Sequence, residues 1–160
     1  IHKFSDESIG LFVMPQFVNS EHYLYNVENE FNGLIVEGAF SDKQFLYGKG
    51  AGGHPTGSAV LSDISAVSYQ YRYEYKKYHQ NPQVHLNNDL LLQVYLRYQD
   101  PDDIAEFGFQ QIEEHYRSAD YKYVTGLISL QNLMQNKHLL LQKKLFLANT
   151  GKILHNNRQS

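Results

Sequence analysis

Apolar residues fall into two unlike patterns along the chain, separated near Asn81-Pro82. Before that point Ile9 to Met14, Asn32 to Phe40 and Phe45 to Tyr47 read as strands. The polar run Ser41-Asp42-Lys43-Gln44 between the last two predicts a hairpin turn. From Pro55 to about Lys77 the residues Ala59, Val60, Ile64 and Val67 recur at helical spacing. Nothing breaks this run before Pro82, so one long helix is expected. Its tail is unusual, because Tyr69, Tyr71, Tyr73 and Tyr75 alternate as a strand would. On a helix they form the i,i+4 pairs Tyr69 with Tyr73 and Tyr71 with Tyr75, and length favours the helix.

Beyond a linker from Gln80 to Asn88, Leu90 to Leu96 predicts a strand. Asp100-Pro101 then opens a helix. The aspartate can accept from free first-turn N–H groups, the proline presets φ, and Asp102, Asp103 and Glu106 sit at the positive end of the dipole. Ile104, Phe107, Gln111 and Ile112 supply its inner face. A strand from about Tyr121 to Ile128 follows, then a short helix opened by Ser129 and carrying Leu130, Leu133 and Met134. A last strand near Lys143 to Ala148 completes a β-α-β-α-β order. The fold class is α+β: a partial sheet with one long helix, then a ferredoxin-like βαβ module.

Composition narrows the function classes without choosing one. The 160 residues, 42% of them hydrophobic, suffice for one domain or two small ones. No apolar run approaches the roughly 18 residues of a membrane span, and no signal peptide is visible. The absence of cysteine excludes a disulfide scaffold, a thiolate metal site and a cysteine nucleophile, and fits a reducing, cytoplasmic compartment. A formal charge of -3 offers no basic face for nucleic acid. The eight histidines never fall at H-x₃-H or H-E-x-x-H spacing, so no metal site is expected.

The densest chemical signal is Gly48-Lys49-Gly50-Ala51-Gly52-Gly53-His54-Pro55-Thr56-Gly57-Ser58, which holds five of the 11 glycines between a predicted strand and a predicted helix. Glycine reaches φ > 0 cheaply and lets main-chain N–H groups approach a phosphate or carboxylate. A phosphate-binding P-loop is excluded, because Gly53 is followed by His54 and Pro55 rather than Lys and Ser or Thr. The dinucleotide fingerprint G-x-G-x-x-G is met literally by Gly48, Gly50 and Gly53. Its acidic partner would be Glu74, which no apolar parallel strand leads to.

The run from Gly48 to Ile64 resembles the G-x-G-A-G-G-x-P-T-x-S-A-V-x-x-D-[IL] signature near the end of the catalytic domain of homoserine dehydrogenases. Val13-Met14-Pro15 is similar to that family's V-x-P segment. Phe31-Asn32-Gly33-Leu34-Ile35-Val36-Glu37-Gly38 is similar to its N-A-I-x-V-x-G strand, with Gly33 in place of the commoner alanine. The resemblance covers about Ile9 to Tyr75. It implies an oxidoreductase interconverting aspartate 4-semialdehyde and homoserine with NADP or NAD, in threonine and methionine biosynthesis. It also implies a catalytic lysine, acidic substrate ligands and a Rossmann domain, all upstream of this segment, so no catalytic residue is expected here. The chain starts Ile1-His2-Lys3 with about 45 residues before the loop, which is too few for a nucleotide domain. It therefore reads as the C-terminal portion of a longer enzyme, inactive alone, whose partner is the missing N-terminal Rossmann domain.

The pattern from about Asn88 to Gly151 resembles an ACT domain, the amino-acid-binding regulatory module that often follows such a catalytic domain. The expected division is thus residues 1–80, a linker at 81–87, an ACT-like domain at 88–151 and a tail at 152–160. In ACT domains a glycine commonly follows the proline of the first loop, whereas Asp102 follows Pro101 here and would repel a carboxylate effector. A structural, homodimer-forming module is therefore favoured over one that binds an amino acid. A free-standing amino-acid-binding regulator is the competing reading. The resemblance assigns cofactor binding to Gly48, Gly50, Ala51, Gly52, Gly53 and Thr56. Thr56 and Ser58 can equally cap their own helix. Lys49 can meet a phosphate or lie in solvent, and Asn32 can steer a backbone turn.

Overall fold

The computed structural model describes residues 1–5, 7–71 and 83–155. In chain order the elements are β1 (His2–Ser5), β2 (Ser8–Gly10), β3 (Phe31–Gly38), β4 (Asp42–Lys49), α1 (Gly53–Ser68), β5 (His85–Leu86), β6 (Leu90–Arg97), α2 (Asp102–Phe107), β7 (Gln111–Arg117), β8 (Lys122–Ser129), α3 (Leu130–Gln142) and β9 (Phe146–His155). They form two compact units, one of Ile1–Phe17 with Pro82–Ser160 and one of Val18–Asn81. The first 17 residues thus pack with the C-terminal part of the chain, a grouping that differs from a linear division at residue 80.

The first unit holds the buried core. Strands β7-β8-β6-β9 form an antiparallel sheet in that order. Alternate residues of β6, namely Leu90, Leu92, Val94 and Leu96, turn to the helical side. They meet Phe107 of α2, Val124 and Ile128 of β8, and Leu130, Leu133 and Leu139 of α3. Each such side chain taken fully out of water contributes about 1.5–3 kcal/mol. The element order is β-α-β-β-α-β, the split βαβ arrangement, so the expected β-α-β-α-β order lacks a strand. Gln111 and Ile112, expected on the inner face of α2, begin β7 instead. All seven residues of β7 are exposed on this edge strand, which leaves no apolar alternation to read.

A bulge between Ile112 and Glu114 interrupts the β7–β8 ladder. Gly126 accommodates it, since a Cβ there would overlap the Gln111 carbonyl oxygen and lie 3.0 Å from the Ile112 Cα. Two further expectations change at the edges. His85–Leu86, placed in the linker, pairs in parallel with β2, and Lys152 to Leu154, placed in the tail, lie in β9. Residues Pro15 to Phe17 extend the sheet beyond β9 through Asn149 N to Pro15 O (2.8 Å) and Phe17 N to Asn149 O (2.9 Å).

Helix α2 ends on left-handed Gly108 (φ +63), whereas α1 and α3 end on left-handed residues that are not glycine. Helix α1 stops at Ser68 rather than continuing to Lys77. Gln70 takes φ +54, and the N–H groups of Gln70 and Tyr71 donate to the carbonyls of Val67 and Ala66. That is a Schellman closure without the Gly or Asn that announces one. Tyr73 and Tyr75, and with them the expected i,i+4 pairs, lie outside the described residues. Lys144 (φ +53) ends α3 the same way, so the last strand starts at Phe146 and not at Lys143.

The loop from β6 into α2 is closed by Asp103, buried at 3% exposure. Its Oδ2 accepts from Asp100 N (2.9 Å) and Gln99 N (3.3 Å), and its Oδ1 accepts from Lys143 Nζ (3.0 Å), which also reaches Glu106 at 2.8 Å. Asp100, as expected, accepts at Oδ1 from Asp102 N (3.0 Å). Ser129 caps α3 by accepting from Asn132 N (3.1 Å), and Asn132 Nδ2 donates back to Gly108 O (3.0 Å), tying α3 to the end of α2. Burial pushes the Asp103 carboxyl up. The Asp100 N–H, Lys143 and the Gln99 N–H together outweigh it and hold the group below 3.8.

Two outcomes follow for this unit. Gly126→Ala forces backbone apart and should cost about 1–3 kcal/mol in urea unfolding. A group whose pKa is depressed on folding contributes stability that is present above its unfolded value and lost as pH falls through the folded one. Wild type should therefore lose melting temperature more steeply than Asp103→Asn as pH drops below about 3.8. Parallel curves would exclude Asp103 as the cause.

Candidate functional site

The second unit carries the glycine-rich segment on a single hairpin. Strands β3 and β4 pair from Phe31↔Lys49 to Gly38↔Asp42 around a turn at residues 39–41, so Asp42, Lys43 and Gln44, expected in the turn, are strand residues. One face carries Phe31, Ile35, Phe45 and Tyr47. Phe31 and Tyr47 stack at 4.8 Å, and Tyr23 from the preceding turns lies 5.8 Å from Phe45. Gly33 belongs on this face because Leu24 and Val27 press onto it, the latter 3.1 Å from where a Cβ would sit. The opposite face carries Asn32, Leu34 and Leu46. With Gly48 and Gly50 they line a shallow depression of about 300 Å³.

From the end of β4 the chain enters the loop, whose base is tied down. Gly50 N donates to Glu30 O at 3.2 Å. Lys49 Nζ meets Glu30 Oε1 at 2.8 Å and lies 5.0 Å over the Phe31 ring, with its side chain half exposed. Its ammonium lowers the Glu30 pKa. Beyond the base the loop opens. Gly52 has φ +111, a region disfavoured for side chains, and serves as the N-cap of α1 without any side-chain cap bond. Gly53, the first helical residue, has nothing within 4 Å of a would-be Cβ, and neither does Gly48.

Pro55 sits in the first turn, where its missing N–H costs nothing. Thr56 does not cap the helix: its N–H and hydroxyl both donate to Gly52 O, at 3.1 and 2.8 Å, leaving the hydroxyl lone pairs as acceptors. Of the expected cofactor residues, Gly48 lies in β4, and Gly50, Ala51, Gly52, Gly53 and Thr56 fall in the loop and the first turn of α1. They make an uncapped positive dipole end with bare backbone on its approach. Helix α1 buries none of its side chains, and Val60, Leu61, Ile64 and Val67 are each more than half exposed. Among the described residues no three His, Asp or Glu side chains converge to hold a metal ion. No helix there is long and apolar enough to cross a membrane.

The family model of homoserine dehydrogenase matches residues 2–65, a span that includes β3, β4, the loop and most of α1. Residues 2–65 are therefore similar to homoserine dehydrogenase sequence. The homoserine dehydrogenase of Bacillus subtilis is 31% identical over 110 residues, 62% of this chain and 24% of that protein. That of Synechocystis is 40% identical over 58 residues, 36% of this chain and 13% of the relative. That of Helicobacter pylori is 38% identical over 68 residues, 42% and 16% of the two chains. The matched stretches thus span about a quarter or less of these three relatives. In fold it is similar to the crystal structure of a homoserine dehydrogenase from Thiobacillus denitrificans, with TM-score 0.50 and 19% identity over 94% of this chain and 39% of that one.

The glycines differ in what a side chain would do. Gly52→Ala imposes strain of about 1–3 kcal/mol at its positive φ. Gly53→Ala, in open space at a helix start, should leave stability unchanged or slightly raised. Denaturant titration of the two variants checks the contrast, and equal losses would contradict the geometry.

Proposed function

We propose that the chain is the C-terminal portion of a homoserine dehydrogenase: the end of its catalytic domain followed by an ACT-like module. The reading makes the full-length protein an oxidoreductase that interconverts aspartate 4-semialdehyde and homoserine with NADP or NAD, in cytoplasmic threonine and methionine biosynthesis. The observation that carries it is the loop Gly48 to Gly53, which lies inside the matched segment and opens α1 with no side-chain cap.

The residues fit a phosphate-bearing dinucleotide. Gly50, Gly52 and Gly53 present backbone without side chains and Ala51 adds only a methyl, Gly53 leaves space for close approach, and the first-turn N–H groups of α1 direct positive potential outward. When bound, NAD(P) supplies or accepts the hydride, and residues upstream of this segment carry the proton and substrate chemistry. This chain holds the loop in place, keeps Lys49 engaged with Glu30, and turns the Thr56 hydroxyl toward Gly52.

The strand order β7-β8-β6-β9 supports the ACT-like assignment of residues 88–151. The loop after β6 favours a structural, dimer-forming role over effector binding. The Gln99 and Asp100 N–H groups, which a carboxylate ligand would need, are already given to Asp103.

The test is Gly53→Val in the full-length enzyme. The cofactor KM should rise roughly tenfold or more, equivalent to about 1.4 kcal/mol or more, with folding intact. An unchanged KM would make the loop a mere connector. For the isolated chain, calorimetry should find only weak NADPH binding, since exposed helix-end electrostatics supply about 0.3–1 kcal/mol. Micromolar affinity would overturn the fragment reading.

A further inference from the structure

The carboxamide of Asn32 lies against the Cα of Gly50, in the space where a side chain at position 50 would stand. A Cβ there would overlap Asn32 Nδ2 and lie 3.1 Å from its Cγ. The two residues meet because the ladder pairs Asn32 with Gly48, placing its side chain on the loop side of the hairpin. We propose that Asn32 is a positioning residue for the glycine loop: its amide wedges against Gly50 and sets the path by which the chain reaches Gly52 and Gly53.

Three observations separate this from a chance contact. The other side of Gly50 is fixed by its N–H bond to Glu30 O, so the residue is held between a backbone acceptor and the wedge. Gly48 and Gly53 have nothing within 4 Å of a would-be Cβ, which makes Gly50 the point where the loop is packed. Only two residues beyond it the backbone enters the positive-φ turn at Gly52 that opens α1. A side chain at 50 would thus compete with the amide of Asn32 for one space, and the loop path depends on both residues. Asn32 is a flexible side chain, so Gly50→Ala would expel it without breaking the hairpin. The two single variants should therefore share one lesion, displacement of the wedge. In the double variant the new methyl takes the vacated space.

The inference rests on the cofactor-loop reading only for its functional consequence, and the experiment separates the two. In the ¹⁵N-labelled chain, Asn32→Ala and Gly50→Ala should each shift the amide resonances of Gly52 and Gly53. Asn32→Ala/Gly50→Ala should return them toward their wild-type positions, a non-additive cycle. Additive shifts, or Gly52 and Gly53 resonances indifferent to Asn32→Ala, would overturn the proposal. The second of these decides even if Gly50→Ala fails to fold. In a full-length enzyme carrying the segment, each single variant should raise the cofactor KM roughly fivefold to tenfold with kcat little changed, and the double variant should recover. If the amide shifts show the coupling while KM does not move, the wedge stands and the cofactor reading falls.

Discussion

The register of the β3–β4 hairpin is the constraint on which the glycine loop depends. Eight residue pairs, Phe31↔Lys49 through Gly38↔Asp42, set which side chains share each face. A slip of one residue would turn every one of them over. The observed register stacks Phe31 on Tyr47 and leaves room at Gly33 for Leu24 and Val27. It also brings Lys49 to Glu30 and Asn32 to Gly50 at the point where β4 ends. Aromatic packing on one face thus fixes a polar and glycine-lined arrangement on the other. The loop inherits a defined starting point from the strands, and only past Gly50 does it become open backbone.

The sheet of the other unit solves a different problem. A six-residue helix such as α2 is too short to hold itself, and it is secured at both ends by side chains. Asp103 gathers two loop N–H groups and Lys143 at one end, and Asn132 takes the Gly108 carbonyl at the other. The buried carboxylate is tolerable because all its partners are donors, one of them charged. The same arrangement leaves the loop after β6 with little to offer an outside carboxylate.

What the sequence revealed follows what each residue has to do locally. The glycine loop, the Asp100 turn, the Ser129 cap and the apolar run of β6 are local signals, and each is found where its residues point. Strand β7 was hidden because an exposed edge strand containing Glu113, Glu114 and Arg117 shows no burial pattern. The end of α1 was hidden because Gln70, not glycine, takes the left-handed turn. The grouping of residues 1–17 with the C-terminal unit depends on the pairing of Pro15 and Phe17 with Asn149, a contact across more than a hundred residues that no window of sequence contains. At the loop, the glycine positions were legible, but the use of Gly50 to seat Asn32 was not. That depends on a strand register seen only in the folded chain.

The proposed cofactor site is the uncapped start of α1 with the glycines before it. Titrating NADPH to millimolar concentration into the ¹⁵N-labelled chain tests it most directly. Amide shifts concentrated at Gly50, Ala51, Gly52, Gly53 and His54 are expected. A silent loop, or shifts confined to the β7-β8-β6-β9 sheet, would contradict it.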